Sequence, residues 1–241
     1  MSTAIIGAGI GGLTTAFALQ RRGIDVVIYE SASAIKPVGA GIIMANNTMQ
    51  VFQQLGLKSS IEKAGNKISR LRITDPQLTD LSVIDLHPFE DKYGVHNVAI
   101  HRGELQRILA EAVGYDHIHL SKRVSKIEKN EDFTIHFEDN TSVKSQILIG
   151  ADGLKSVVRN QLFEKSELRN AHQFCWRGVG EIELHERHHH APVEAWGKGK
   201  RFGFVKISDK KVYWYALINS LSFNTNSANL LETFREFHPD I

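Results

Sequence analysis

Cysteine is almost missing from this chain: Cys175 is the only one in 241 residues. No disulfide can form within the chain, which suits a reducing compartment, and a lone thiol reads as buried apolar filler before it reads as a reactive group. Charge of one sign is scarce too, because 29 Lys and Arg against 27 Asp and Glu leave a formal net charge of only +2. So weak a field gives no strong pull towards nucleic acid or an anionic membrane. There is no run of eighteen apolar residues, and the N-terminus lacks the basic and then apolar order of a secretory signal. Internal repeats and low-complexity tracts are also lacking. These absences leave the expectation of a soluble, cytoplasmic chain that works on small molecules; they do not specify an oligomeric state.

What is present begins at once. Thr3-Ala4-Ile5-Ile6 is a short apolar run that meets glycines directly, as a strand buried on both faces does before a tight turn. Leu13, Ala16, Phe17 and Leu19 then follow helical spacing until Gly23, and Asp25 to Tyr29 reads as a second strand with Glu30 at its end. This is a βαβ opening. Gly7, Gly9 and Gly12 form G-x-G-x-x-G at its first turn, where missing side chains let the backbone approach a pyrophosphate at a helix N-terminus. Glu30 stands where a carboxylate accepts from adenosine ribose hydroxyls and disfavours a 2′-phosphate. The motif by itself leaves FAD and NAD both open, and a purely structural glycine turn is the bland alternative.

Farther along, Asn46 to Leu55 reads as a helix ending at Gly56, and Leu71–Thr74 and Leu81–Leu86 alternate like strands with one wet face. Arg102 to Ala112 returns to helix, with Leu105, Ile108, Leu109 and Ala112 on one stripe. Short strands follow near 117–120, 124–128 and 133–137, and Val143 to Ile149 reads as one more, running into Gly150-Ala151-Asp152-Gly153. Ser156 can cap a helix through Leu162, with Arg159 a partner for Asp152 one turn on. Strand patterns resume after Phe174, and Leu230 to Phe237 reads as an amphipathic helix. The sheet-rich layer is entered twice, so two interleaved domains are expected: 1–70 with 98–172, and 71–97 with 173–241.

Two segments carry a resemblance. His101-Arg102-Gly103-Glu104-Leu105, continuing to Leu109, is similar to the R-x-x-L-x-x-x-L helix of class A, single-component flavin monooxygenases, and Ile149 to Arg159 resembles their G-A-D-G-x-x-S-x-x-R. The resemblance runs along nearly the whole chain, including the loop Pro37–Gly41. It implies an α/β fold in which a Rossmann-like FAD-binding domain of glutathione reductase type is interleaved with a β-sheet substrate domain. It implies FAD as cofactor and NAD(P)H as transient electron donor, with hydroxylation of a small aromatic or heteroaromatic substrate. Gly7, Gly9, Gly12, Glu30, Ser31, Ile43, Arg102, Val124, Asp152 and Gly153 are the implied cofactor residues. For Arg102 the physical logic is a guanidinium fork against phosphate or ribityl oxygens. Ala45-Asn46-Asn47 departs from the family's usual Pro-Asn at that helix entry.

Trp196 to Gly203 and Val212 to Tyr215 look like the family's substrate-facing sheet. The interval from Arg201 to Tyr213 resembles that of flavin-dependent urate hydroxylases, where an arginine and a tyrosine handle an anionic substrate, so these two are the candidate catalytic residues; aromatic core is the alternative. His185 to His189 matches the H-E-x-x-H zinc motif, but its strand-like approach and Pro192 point to a solvated, histidine-rich hairpin tip, and no metal is expected. The family's later G-D-A-A-H segment does not occur in the sequence, which implies a chain that stops before its FAD site is complete. Two rival readings stay open: a catalytically dead fragment binding FAD or only its ADP half, and an NAD-dependent dehydrogenase.

Overall fold

The computed structural model describes residues 2–35, 40–163, 167–221 and 229–241. Of the loop Pro37–Gly41 it therefore describes only Ala40 and Gly41. Two compact units emerge, Met1–Pro37 with Gly103–Leu168 and Val38–Arg102 with Arg169–Ile241. Residues 40–70, assigned from sequence to the FAD-binding domain, thus fall in the unit that holds the larger sheet.

The first unit is built on a four-stranded parallel sheet in the order Ile147–Gly150, Thr3–Ile6, Val26–Tyr29, Ile118–His119. Parallel pairing requires a crossover, and the helix Ile10–Gln20 supplies it between the first two strands in sequence. A second sheet, antiparallel, orders Ser142–Ser145, Phe133–Phe137 and Val124–Lys129. Ala4, Ile6, Val124, Ile127, Ile135, Phe137 and Val158 form one buried cluster joining the layers of this unit.

The run Val143 to Ile149, read from sequence as one strand, is two. Ser145 is buried, and its single hydroxyl proton is shared between the carbonyls of Ser2 and Ile147, 3.0 and 2.8 Å away, where the chain leaves one sheet for the other. An unbroken apolar pattern conceals such a switch, because both sheets bury the same residue types.

The second unit holds a six-stranded sheet ordered Gln173–Glu181, Lys211–Asn219, Lys200–Lys206, Val193–Gly197, Arg70–Thr74, Asp80–Asp85. Only the pairing of Val193–Gly197 with Arg70–Thr74 is parallel. A three-stranded antiparallel sheet, Gly41–Met44, Asn97–His101, Asn66–Ile68, belongs to the same unit.

Strand alternation divides the faces of the large sheet. Val193, Ala195, Phe202, Phe204, Val212, Ala216 and Ile218 point into a cluster closed by Phe234 and Phe237. The residues between them, Glu194, Arg201, Gly203, Tyr213 and Tyr215, face the other way. The expected helix 230–237 is helical only over Leu230–Thr233. Phe234 and Phe237 both dock on the sheet, the amide of Phe237 bonds the Phe234 carbonyl in a tighter turn, and burying two phenyl rings, worth about 2 kcal/mol each, outweighs one further helical turn. Cys175, expected to be buried, is exposed on the outermost Gln173–Glu181 strand.

Candidate cofactor and substrate sites

Glycine shapes the start of the first helix in two ways. Gly7 has φ +105° and lies against Ala151 and Asp152, while a Cβ on Gly12 would overlap the Gly7 carbonyl. These two positions hold the turn together. Gly9 and Gly11 face open space, and Gly9, at the N-cap, leaves the helix without any side-chain cap. An eleven-residue helix with an uncapped start and no side chain in the way presents its free N–H groups and positive dipole end outward. That cradle fits the pyrophosphate of a dinucleotide.

Glu30 braces the same loop. Its Oε2 accepts from the Ala8 amide at 2.7 Å, and its Oε1 accepts from Ala32 N at 2.8 Å and the Ser31 hydroxyl at 3.1 Å. Gln106, on the helix Arg102–Val113, donates to the Ala8 carbonyl at 2.7 Å. Ala8 is thereby held at both ends of its main chain. Sequence reasoning missed Gln106; the signal was its place inside the Arg102 motif, one turn into the helix.

Asp152 lies beside this loop, since Ala151 N donates to Ile6 O at 2.8 Å. Its carboxylate accepts from the Ser156 hydroxyl and Val157 N, both at 2.6 Å, and from Val158 N at 3.2 Å. Ser156 in turn caps the helix by accepting from Arg159 N at 2.9 Å. The expected partnership of Asp152 with the Arg159 side chain does not form: that guanidinium donates to the Leu154 carbonyl at 2.7 Å. The carboxylate serves the helix N-terminus because two orphan main-chain donors and the capping hydroxyl converge there. Gly153, with φ +83°, faces open space. The Val124 side chain is buried in the core cluster.

The other candidates belong to the second unit. Arg102 is exposed, and its amide donates to Ala40 O at 2.9 Å. Ile43 lines a cavity of about 470 Å³ together with Leu71, Ile73, Val205, Tyr213 and Tyr215. Gly41 sits against the Tyr213 ring, so closely that a Cβ there would stand 2.6 Å from that side chain. Burial pushes the Tyr213 hydroxyl above its ordinary pKa. Tyr215 is raised further, by burial and then by its hydrogen bond to Glu194. Arg201 is outside the lining and reaches the cavity only through Glu194, whose Oε1 accepts from Arg201 Nη1 at 3.2 Å. Glu194 had no motif to announce it, and Tyr215 stood in the segment Val212 to Tyr215 without being singled out.

The H-E-x-x-H segment is a short turn, Glu186–His188, with His188 buried instead of solvated. Arg187 Nε donates to His188 Nε2 at 2.9 Å, and Arg72 Nη1 lies 3.3 Å from Nδ1. Burial, with the charges of Arg187 and Arg72, pushes this imidazole down to about 4. Among the described residues no group of three or more His, Cys, Asp or Glu is placed to hold a metal ion. Among them, too, no helix is long and apolar enough to cross a membrane.

The FAD binding domain family matches residues 1–214. The chain belongs to that family. It is 34% identical over 246 residues to an aurachin C monooxygenase/isomerase of Stigmatella aurantiaca, covering 100% of this chain and 64% of the relative. An FAD-dependent urate hydroxylase of Klebsiella pneumoniae is 32% identical over 222 residues, 89% of this chain and 57% of its own. The crystal structure of Klebsiella pneumoniae HpxO with FAD and uric acid superposes with a TM-score of 0.88 at 27% identity, covering 99% of this chain and 63% of that one. The chain therefore spans less than two thirds of the length of these relatives. Family membership makes the cofactor FAD, which the glycine motif alone left open, and sets the dehydrogenase alternative aside.

Proposed function

We propose that this flavoprotein chain holds FAD through its first unit and a small aromatic or heteroaromatic substrate in the cavity of its second, for NAD(P)H- and O₂-dependent hydroxylation. The observation that carries the reading is the uncapped, side-chain-free start of the helix Ile10–Gln20, in a chain that also contains an apolar, tyrosine-lined cavity. In this reading Gly7 and Gly12 shape the turn, and Gly9 with the free helix start behind it gives the pyrophosphate its backbone donors. Glu30, with Ser31 beside it, keeps one lone-pair site, on Oε2, for a ribose hydroxyl. Asp152 orients the turn that brings Gly153 towards the cofactor, Arg102 offers its guanidinium to phosphate or ribityl oxygens, and Val124 contributes main chain at the adenine end.

Bound FAD supplies the oxygen chemistry once NAD(P)H has reduced it. The protein's part is to bind, to orient and to exclude water. Ile43, Leu71, Ile73 and Val205 keep the cavity dry, while Tyr213 presents a neutral phenol and Arg201 acts from behind Glu194. The functional domains then run 1–70 with 98–172 and 71–97 with 173–241, residues 40–70 serving the cofactor from within the unit of the larger sheet. A single cysteine, exposed, suits the cytoplasm.

The test is NAD(P)H consumption by the FAD-loaded protein, with and without aromatic compounds. Substrate-stimulated, FAD-dependent oxidation with hydroxylated product is expected. Oxidation that does not need FAD, or no stimulation by any aromatic ring, contradicts the reading.

A further inference from the structure

We infer that Glu194 makes the cavity of the second unit a site for an uncharged ring that carries an N–H or O–H donor and an apolar extension, and closes it to aromatic anions. The inference rests on the reading of that cavity as the substrate site.

Ile43, Leu71, Ile73, Ile84 and Val205 make most of the wall apolar, and the ionisable carboxylate and guanidinium groups in the lining are those of Glu194 and Arg72. Arg72 is already committed, with Nε on Asp80 Oδ1 at 2.7 Å and Nη1 towards His188. Arg201, the cation that the sequence suggested for an anionic substrate, is held on Glu194. Arg177 addresses the Tyr213 hydroxyl. Arg72 and Arg201 are therefore paired with carboxylates, Arg177 meets only a neutral phenol from outside the lining, and within the lining the charge presented to a ligand is the Glu194 carboxylate. An incoming carboxylate or urate anion would have to break the Arg201 pair or sit against Glu194 in a partly desolvated pocket, where like charges repel strongly.

The same carboxylate favours a donor. Oε1 accepts from Arg201 and from the Trp196 indole N–H, and Oε2 accepts from the Tyr215 phenol. Each carboxylate oxygen offers two lone-pair sites, so one remains, on Oε2. A ligand N–H or O–H fills it; a ring without a donor displaces water from this partly buried carboxylate without replacing its hydrogen bond, at a cost. A cavity of about 470 Å³ accommodates a fused bicycle with an aliphatic arm along the apolar wall.

Ligand binding to the full chain, read by calorimetry and by Trp fluorescence, tests this without turnover. The probes are a 2-alkyl-4(1H)-quinolone, its N-methyl analogue, and salicylate. The N–H quinolone is expected to bind at least tenfold tighter than either of the others. In Glu194→Gln the preference over the N-methyl ring should fall below threefold and salicylate affinity should rise at least tenfold, a gain that Arg201→Gln in the same background removes. Salicylate binding as tight as the quinolone in the unaltered chain, preferences unchanged by Glu194→Gln, or no binding of any probe would overturn the inference. Should Glu194→Gln prove too unstable to assay, the three-probe comparison on the unaltered chain decides alone. Repeating it with and without FAD separates the two readings. The predicted preferences in a chain that takes up no FAD would sink the monooxygenase reading and leave this one standing, and FAD-dependent turnover without them would do the reverse.

Discussion

Tyr215 donates its phenolic hydrogen to Glu194 by lying across Gly203. The three residues sit in one row of the sheet, Glu194 paired with Gly203 and Gly203 with Tyr215. A Cβ at Gly203 would overlap the Tyr215 ring, so only glycine on the middle strand lets a side chain span two strand spacings. Gly203→Ala is expected to cost about 1–3 kcal/mol of stability through overpacking and to push the ring off Glu194. Thermal unfolding together with ligand affinity checks it; an unchanged melting temperature and unchanged quinolone binding would show that the ring has another route.

The two kinds of glycine in the cofactor loop should respond differently. Gly12→Ala drives a methyl into the Gly7 carbonyl and should lower the stability of the first unit by about 1–3 kcal/mol. Gly9→Asp has room for its Cβ, and its carboxylate would itself cap the helix Ile10–Gln20. It should leave stability unchanged or slightly raised while weakening ADP and FAD binding more than tenfold, because a fixed anion then occupies the pyrophosphate position. Unfolding curves and ADP titration on the two variants check both halves.

His188 predicts a pH dependence. Its pKa is about 4 in the folded chain against an ordinary 6.5, so below pH 6.5 the unfolded chain takes up a proton that the folded one refuses. Stability contributed by the neutral imidazole is therefore complete above about 6.5 and is lost as pH falls towards 4, by on the order of 2 kcal/mol. Denaturant unfolding at pH 7.0 and 4.5 should show a larger drop for the unaltered chain than for His188→Gln. Equal drops would mean that His188 is protonated in the fold.

Much of this was legible in the sequence where local chemistry is strict. The G-x-G-x-x-G turn, Glu30 after the second strand, and Ser156 as a cap each need a particular residue at a particular step, and the structure contains the turn, the strand and the cap. What was hidden is what tertiary packing decides. The switch of sheets at Ser145, the early end of the last helix at Thr233 and the burial of His188 all depend on partners distant in sequence: Ser2, the face of the large sheet, and Arg72. Glu194 was invisible for the same reason, since its importance comes from Arg201 and Tyr215, which only the strand register brings beside it.

If the first unit is an FAD cradle, calorimetric titration of the full chain with FAD, ADP and NAD⁺ should show one site for FAD, displaced by ADP and lost in Gly9→Asp, with NAD⁺ at least tenfold weaker. Tight NAD⁺ binding without FAD binding, or FAD binding that neither ADP nor Gly9→Asp disturbs, would contradict that assignment.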